Sequence, residues 1–109
     1  MKLLVAGSRA VKEFDLSPYI PTDVDLLISG GATGIDTIAE QYADEHNIPK
    51  LIIRPEYSRY GRGAPIVRNK QMVEAADTVL AIWDGRSKGT LSTINYAQKL
   101  SKKVIIINV

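Results

Sequence analysis

The chain has 109 residues, 45% hydrophobic and 24% charged, with a net charge of +2; it has material for one ordinary core, so residues 1–109 are expected to form a single domain. Zero cysteines and a lone His46 exclude disulfides and any His/Cys metal cluster, so no metal is expected and a reducing, cytoplasmic setting suits the chain. No apolar run approaches the roughly 20 residues of a membrane span, Met1-Lys2 leads into a strand pattern instead of a signal peptide, and the small positive charge argues against a dedicated nucleic-acid partner.

Leu3 to Ala6 reads as the first strand and runs into the turn Gly7-Ser8-Arg9. Val11 to Ile20 reads as a weak helix, with Pro18 inside its pattern and Pro21 after it. A second strand, Leu26 to Ser29, enters Gly30-Gly31-Ala32-Thr33-Gly34, and Ile35, Ile38, Ala39, Tyr42 and Ala43 then mark one buried helical face. Leu51 to Arg54 is the third strand. The connection Pro55 to Ala64 is long for a strand-to-helix loop and carries Tyr57, Arg59, Tyr60 and Arg62, the make-up of a lid or binding loop. A looser helix follows, with Ile66, Val73 and Ala76 inward. Thr78 to Trp83 is a fourth strand, entering Asp84-Gly85-Arg86-Ser87-Lys88-Gly89-Thr90; Ile94, Ala97 and Leu100 mark the last helix and Val104 to Val109 the last strand.

Strands alternating with helices predict an α/β fold, three layers around a five-stranded parallel sheet with right-handed crossovers. The near-continuous Val, Ile and Leu runs predict strands covered on both faces. Such sheets bind ligands at the carboxyl ends of the strands, beside the reversal of strand order. In the order 3-2-1-4-5 that point falls between strands one and four, and the three glycine turns lie side by side. Glycine admits close backbone approach, and the helix that follows offers unpaired amides at the positive end of its dipole. Together the turns form an anion cradle, so the expected partner is a nucleotide-type small molecule, with no other cofactor required.

Within that cradle the expected ligand contacts are Gly7, Ser8, Arg9, Gly30, Gly31, Ala32, Gly34, Asp36, Tyr60, Arg68, Asn69, Asp84, Gly85, Ser87, Gly89, Thr90 and Thr93. Arg9 follows the first turn and Arg68 lies early in its helix, so both are placed to fork onto phosphate oxygens. Asp36, in the first turn of its helix, is assigned mainly to holding the loop, with ribose contact second. Thr90 and Thr93 divide between helix capping and ligand hydroxyls, and Trp83 reads as core. Asp84, at the lip of the crevice, is the one catalytic candidate; shaping its turn or binding ribose hydroxyls is the favoured role over chemistry.

Gly7-Ser8-Arg9, Ser29 to Asp36, Tyr60-Gly61 through Arg68-Asn69-Lys70-Gln71-Met72-Val73, Ala76-Asp77 and Trp83 to Thr90 together resemble the YspA branch of the SLOG superfamily, over essentially the whole chain. The resemblance implies a Rossmann-like fold and a ligand that is a nucleotide or nucleotide derivative, such as an ADP-ribose-like molecule. It also implies phosphate or ribose contact through Arg68 beside Asn69. The LOG enzymes of this superfamily split the bond between base and ribose 5'-monophosphate with a glutamate three places after a Gly-Thr pair. Here Gly89-Thr90 is followed by Thr93 at that place, which puts such hydrolysis in doubt. A nucleotide binder that senses or sequesters a signal is the leading expectation. An N-glycosidic hydrolase or transferase is the alternative, and a DprA-like single-strand DNA protein the second alternative. The outer strands, if sheet edges, leave backbone groups for a second copy, which points to a homo-oligomer.

Overall fold

The computed structural model describes residues 1–109. Five strands, β1 (Lys2–Gly7), β2 (Leu26–Ser29), β3 (Lys50–Ile52), β4 (Thr78–Trp83) and β5 (Lys103–Asn108), form one all-parallel sheet in the order β3-β2-β1-β4-β5. Around it lie α1 (Ile35–Glu45), a single turn α2 (Tyr57–Tyr60), α3 (Ala64–Ala75) and α4 (Lys88–Lys99). This is a Rossmann-like α/β fold, as its alternating pattern predicts.

Alternation along β1 explains the layers. Successive side chains leave a strand on opposite faces. Leu3 and Val5 pack with Leu27, Leu80, Ile82 and the α1 residues Ile35, Ala39 and Ala43. Leu4 and Ala6 pack on the other face with Ile28, Val79, Met72 and Val73 of α3 and Ala97 of α4. One helix therefore covers one face and two cover the other, and central β1, paired with β2 through Leu3–Leu27 and with β4 through Leu3–Thr78, is sealed.

The structure departs from the sequence expectation in several places, one being Leu100, which caps α4 and is 38% exposed instead of lying on its buried face. Val11 to Ile20 is not a helix: only Ser17–Tyr19 forms a short 3-10 turn, and Pro18 sits at its start. Proline rejects a helix interior, and the segment lies instead as a strap whose Leu16, Val11, Phe14 and Ile20 pack on the α1 face of the core. In α3 the inward residues are Ala64, Arg68, Asn69, Met72 and Val73, while Ile66 is 53% exposed; Ala76 is buried in the core as expected, but as the cap just past the helix end. Two polar residues replace the expected apolar stripe because the start of α3 faces the site. The third strand is the shorter Lys50–Ile52, and both edge strands are only partly covered, with Leu51 and Ile106 exposed. Pro55 to Ala64 is not a bare loop but holds α2 and a 3-10 turn, Gly61–Gly63. No helix is long and apolar enough to cross a membrane.

Candidate functional site

The order reverses between β1 and β4, where Gly7 lies opposite Ile82. At that edge the turns after β1, β2 and β4 surround an open cleft of about 410 Å³. Gly7, Ser8, Arg9, Ala32, Asp36, Arg68, Asn69, Asp84, Ser87, Gly89, Thr90 and Thr93 line it. Gly30 and Gly31 line an adjoining depression that shares Arg9, Ala32 and Arg68 with the cleft. Gly34, Gly85 and half-buried Tyr60 line neither. A Cβ on Gly34 would strike the Ser8 and Arg9 carbonyls, so that glycine, at φ +75°, seats one turn against another. Tyr60 lies beneath the Arg59 guanidinium, 5.2 Å from its ring centre.

Ser8 ties the turns together. It is fully buried; its hydroxyl accepts from the Asp84 amide at 3.2 Å, and its carbonyl accepts from Ile35 at the head of α1. On Asp84, Oδ1 accepts from the amides of Arg86 (2.8 Å) and Ser87 (2.9 Å). Those amides, Ser87 first, hold the Asp84 carboxyl below the usual carboxylate range. It is ionised at neutral pH, and therefore shapes the turn and accepts hydrogen bonds but has no proton to give. Trp83 braces the same turn, donating from Nε1 to the Ser87 carbonyl at 3.0 Å, a role beyond core packing.

The head of α4 is built for an anion. Ser87 caps it, accepting from the Thr90 amide at 3.3 Å, and its hydroxyl also meets the Thr90 hydroxyl. Thr93 Oγ1 donates back to the Gly89 carbonyl at 3.1 Å. The amides of Lys88 and Gly89 then remain without a protein acceptor at the positive end of the helix. A Cβ on Gly89 would meet nothing within 4 Å, and its φ is not left-handed. Neither packing nor backbone conformation demands a glycine there.

Arg68 and Asp36 face the cleft from the other side. Arg68 is only 6% exposed, yet it makes no ion pair within 4.0 Å. Its Nη1 donates to the Gly30 carbonyl at 2.7 Å and its Nε to Asn69 Oδ1 at 2.9 Å. Nη2 has no protein partner and is not sealed from solvent, on a residue that lines both the cleft and the depression beside it. Asp36, equally buried, accepts from the Ala32 amide through Oδ2 at 3.1 Å. Burial pushes its carboxyl up from the usual range, against the pull of that amide and of Arg68. Asn69 links α3 to α4 through a long contact, 3.5 Å, with the Gly89 carbonyl.

The two neighbouring glycines have reasons internal to the protein. A Cβ on Gly30 would strike Arg68 at 2.6 Å and Asp36 at 2.9 Å; one on Gly31, whose φ is +71°, would strike Arg54 at 2.6 Å. Glycine here admits guanidinium groups first. Sequence reasoning left Arg54 at a strand end and did not place Ala10, Pro65, Met72 or Arg86 at the site. A signal for Arg54 was present: β3 neighbours β2, so a basic residue just past β3 comes to lie beside the glycine turn after β2.

Fold and edge thus define a Rossmann-like α/β domain with a polar, arginine-bearing cleft at its strand-order reversal. No protein-family model matches the chain, and no curated protein or solved structure matches it significantly.

Proposed function

We propose that the cleft binds a nucleotide or nucleotide-derived ligand, a nucleoside phosphate or an ADP-ribose-like molecule, and that the protein senses or sequesters it, in keeping with the resemblance to YspA-type SLOG domains. The observation that carries this reading is Arg68: a buried guanidinium with no ion pair and one free prong, on a residue that lines the cleft. Removing a cation from water is costly unless a partner compensates, and a phosphate oxygen on the free prong supplies that compensation through a charge-assisted hydrogen bond. The free amides at the head of α4 add donors for the same anion. Ionised Asp84 and buried Asp36 are suited to ribose hydroxyls. Thermal denaturation against AMP, ADP and ADP-ribose tests the reading. A ligand at one hundred times its Kd stabilises by about 2.7 kcal/mol, a shift of many degrees in a domain this small. No shift with any of them at millimolar concentration would refute it.

One observation favours hydrolysis as a second reading. Asp36 is a carboxyl buried at the cleft wall, and that burial pushes its proton affinity up, the direction that suits a group serving a leaving base. Free base appearing by chromatography after incubation of a bound nucleotide, and disappearing in Asp36→Asn, would select it over binding alone.

A further inference from the structure

The depression beside the cleft is walled by Arg9, Arg54 and Arg68, floored by Gly30 and Gly31, and rimmed by Tyr57, which is 58% exposed. No acidic residue lines it. Two of its arginines are anchored on consecutive carbonyls: Arg68 Nη1 donates to Gly30 and Arg54 Nη1 donates to Gly31 at 3.1 Å. Neither arginine has a carboxylate within ion-pair distance; the chain's ion pairs are Met1 with Asp25 and Lys50 with Asp44. Arg9, whose charge acts on Arg68, and Arg54 are both exposed, so the depression presents three guanidiniums toward solvent with no carboxylate among them. The glycines are part of the arrangement, since a Cβ on either would displace the guanidinium lying on it. Arg68, buried and carrying an unpartnered Nη2, forms the wall common to cleft and depression.

We propose that this depression is a second anionic subsite, in which Arg54, Arg68 and Arg9 seat a further phosphoryl group of the ligand whose first phosphate lies in the cleft. The inference rests on the nucleotide reading and narrows it: the preferred ligand carries at least two phosphoryl groups, spanning Arg68 from the α4 head to the Gly30-Gly31 turn. Arg68 touches both groups, Arg54 only the second. Tyr57 at the rim offers a ring face to whatever the second phosphoryl group carries.

Calorimetric titration with AMP, ADP, ATP and inorganic pyrophosphate tests it on the intact chain and on Arg54→Gln and Arg54→Lys. Wild type should bind ADP or ATP at least about tenfold more tightly than AMP, the gain expected of one added charge-assisted pair. Arg54→Gln should erase most of that gain while lowering AMP affinity far less, and Arg54→Lys should restore part of it by returning the charge without the fork. Circular dichroism and the melting temperature of each variant establish that the turn still folds. AMP, ADP and ATP binding equally, or the preference for ADP and ATP surviving in folded Arg54→Gln, would overturn the second subsite and leave the nucleotide reading standing. Pyrophosphate binding that depends on Arg54, with no nucleotide bound, would uphold the anionic subsite and overturn the nucleotide reading. Binding of neither would overturn both.

Discussion

At Gly89 folding and binding pull in opposite directions. The residue stands in the first turn of α4 with ordinary backbone angles, and an added Cβ would meet no protein atom within 4 Å. Glycine in a helix interior is about 0.5–1 kcal/mol worse than alanine, and somewhat less in a first turn. Gly89→Ala should therefore stabilise the ligand-free protein by about 0.5 kcal/mol, or roughly 2–4 °C in Tm for a domain of this size. Binding should suffer. The new methyl lies on the cleft wall, beside the Lys88 and Gly89 amides that have no protein acceptor. A hydrogen bond to a charged group contributes about 1.5–3 kcal/mol, so holding a phosphate off one amide lowers affinity roughly 10- to 100-fold. Thermal denaturation without ligand reads the first effect and calorimetric titration with ADP the second. Higher Tm with affinity unchanged within about twofold would refute close approach of the ligand at Gly89. A lower Tm would refute the claim that the position is sterically free.

Arg68→Lys should weaken phosphate-bearing ligands at least about tenfold more than the matching nucleosides, because a point charge replaces a fork; equal losses in titrations with AMP and adenosine would make Arg68 purely structural. Asp84 and Asp36 should give opposite pH dependences. The Asp84 carboxyl is held low in the fold, so its contribution is present above the usual aspartate value of about 3.9 and is lost as pH falls through the folded value. Asp36 is pushed up, so its contribution is full below about 3.9 and is lost as pH rises through the folded value. Urea midpoints measured between pH 3 and 7 should therefore fall less steeply on acidification in Asp84→Ala than in wild type. Asp36→Asn should remove the loss on the rising side, and profiles superimposable on wild type would contradict both assignments. Gly31→Ala should destabilise the fold even without ligand, through its positive φ and its contact with Arg54, and an unchanged Tm would show that Arg54 is not held on the turn.

The alternation of Val, Ile and Leu runs with helical spacing determined the layers and the parallel sheet, since buried parallel strands need apolar residues on both faces and helices to cover them. Once the sheet is parallel, short βα turns force Gly7, Gly30-Gly31 and Gly85 to Gly89 to one edge, which is why the position of the cleft was legible. The strap from Val11 to Ile20 was only half legible: Pro18 argues against a helix interior while the apolar spacing mimics one, and packing of Leu16 against the α1 face decides where the segment lies. Nor could spacing reveal that Arg68 is buried without an ion pair, or that Arg54 joins it, because those facts depend on Gly30 and Gly31 presenting consecutive carbonyls to residues from α3 and from beyond β3. Asp36 and Asp84 are both aspartates beside glycine turns. Only the tertiary structure separates them, burying one, which raises its proton affinity, and handing the other two amides that lower it.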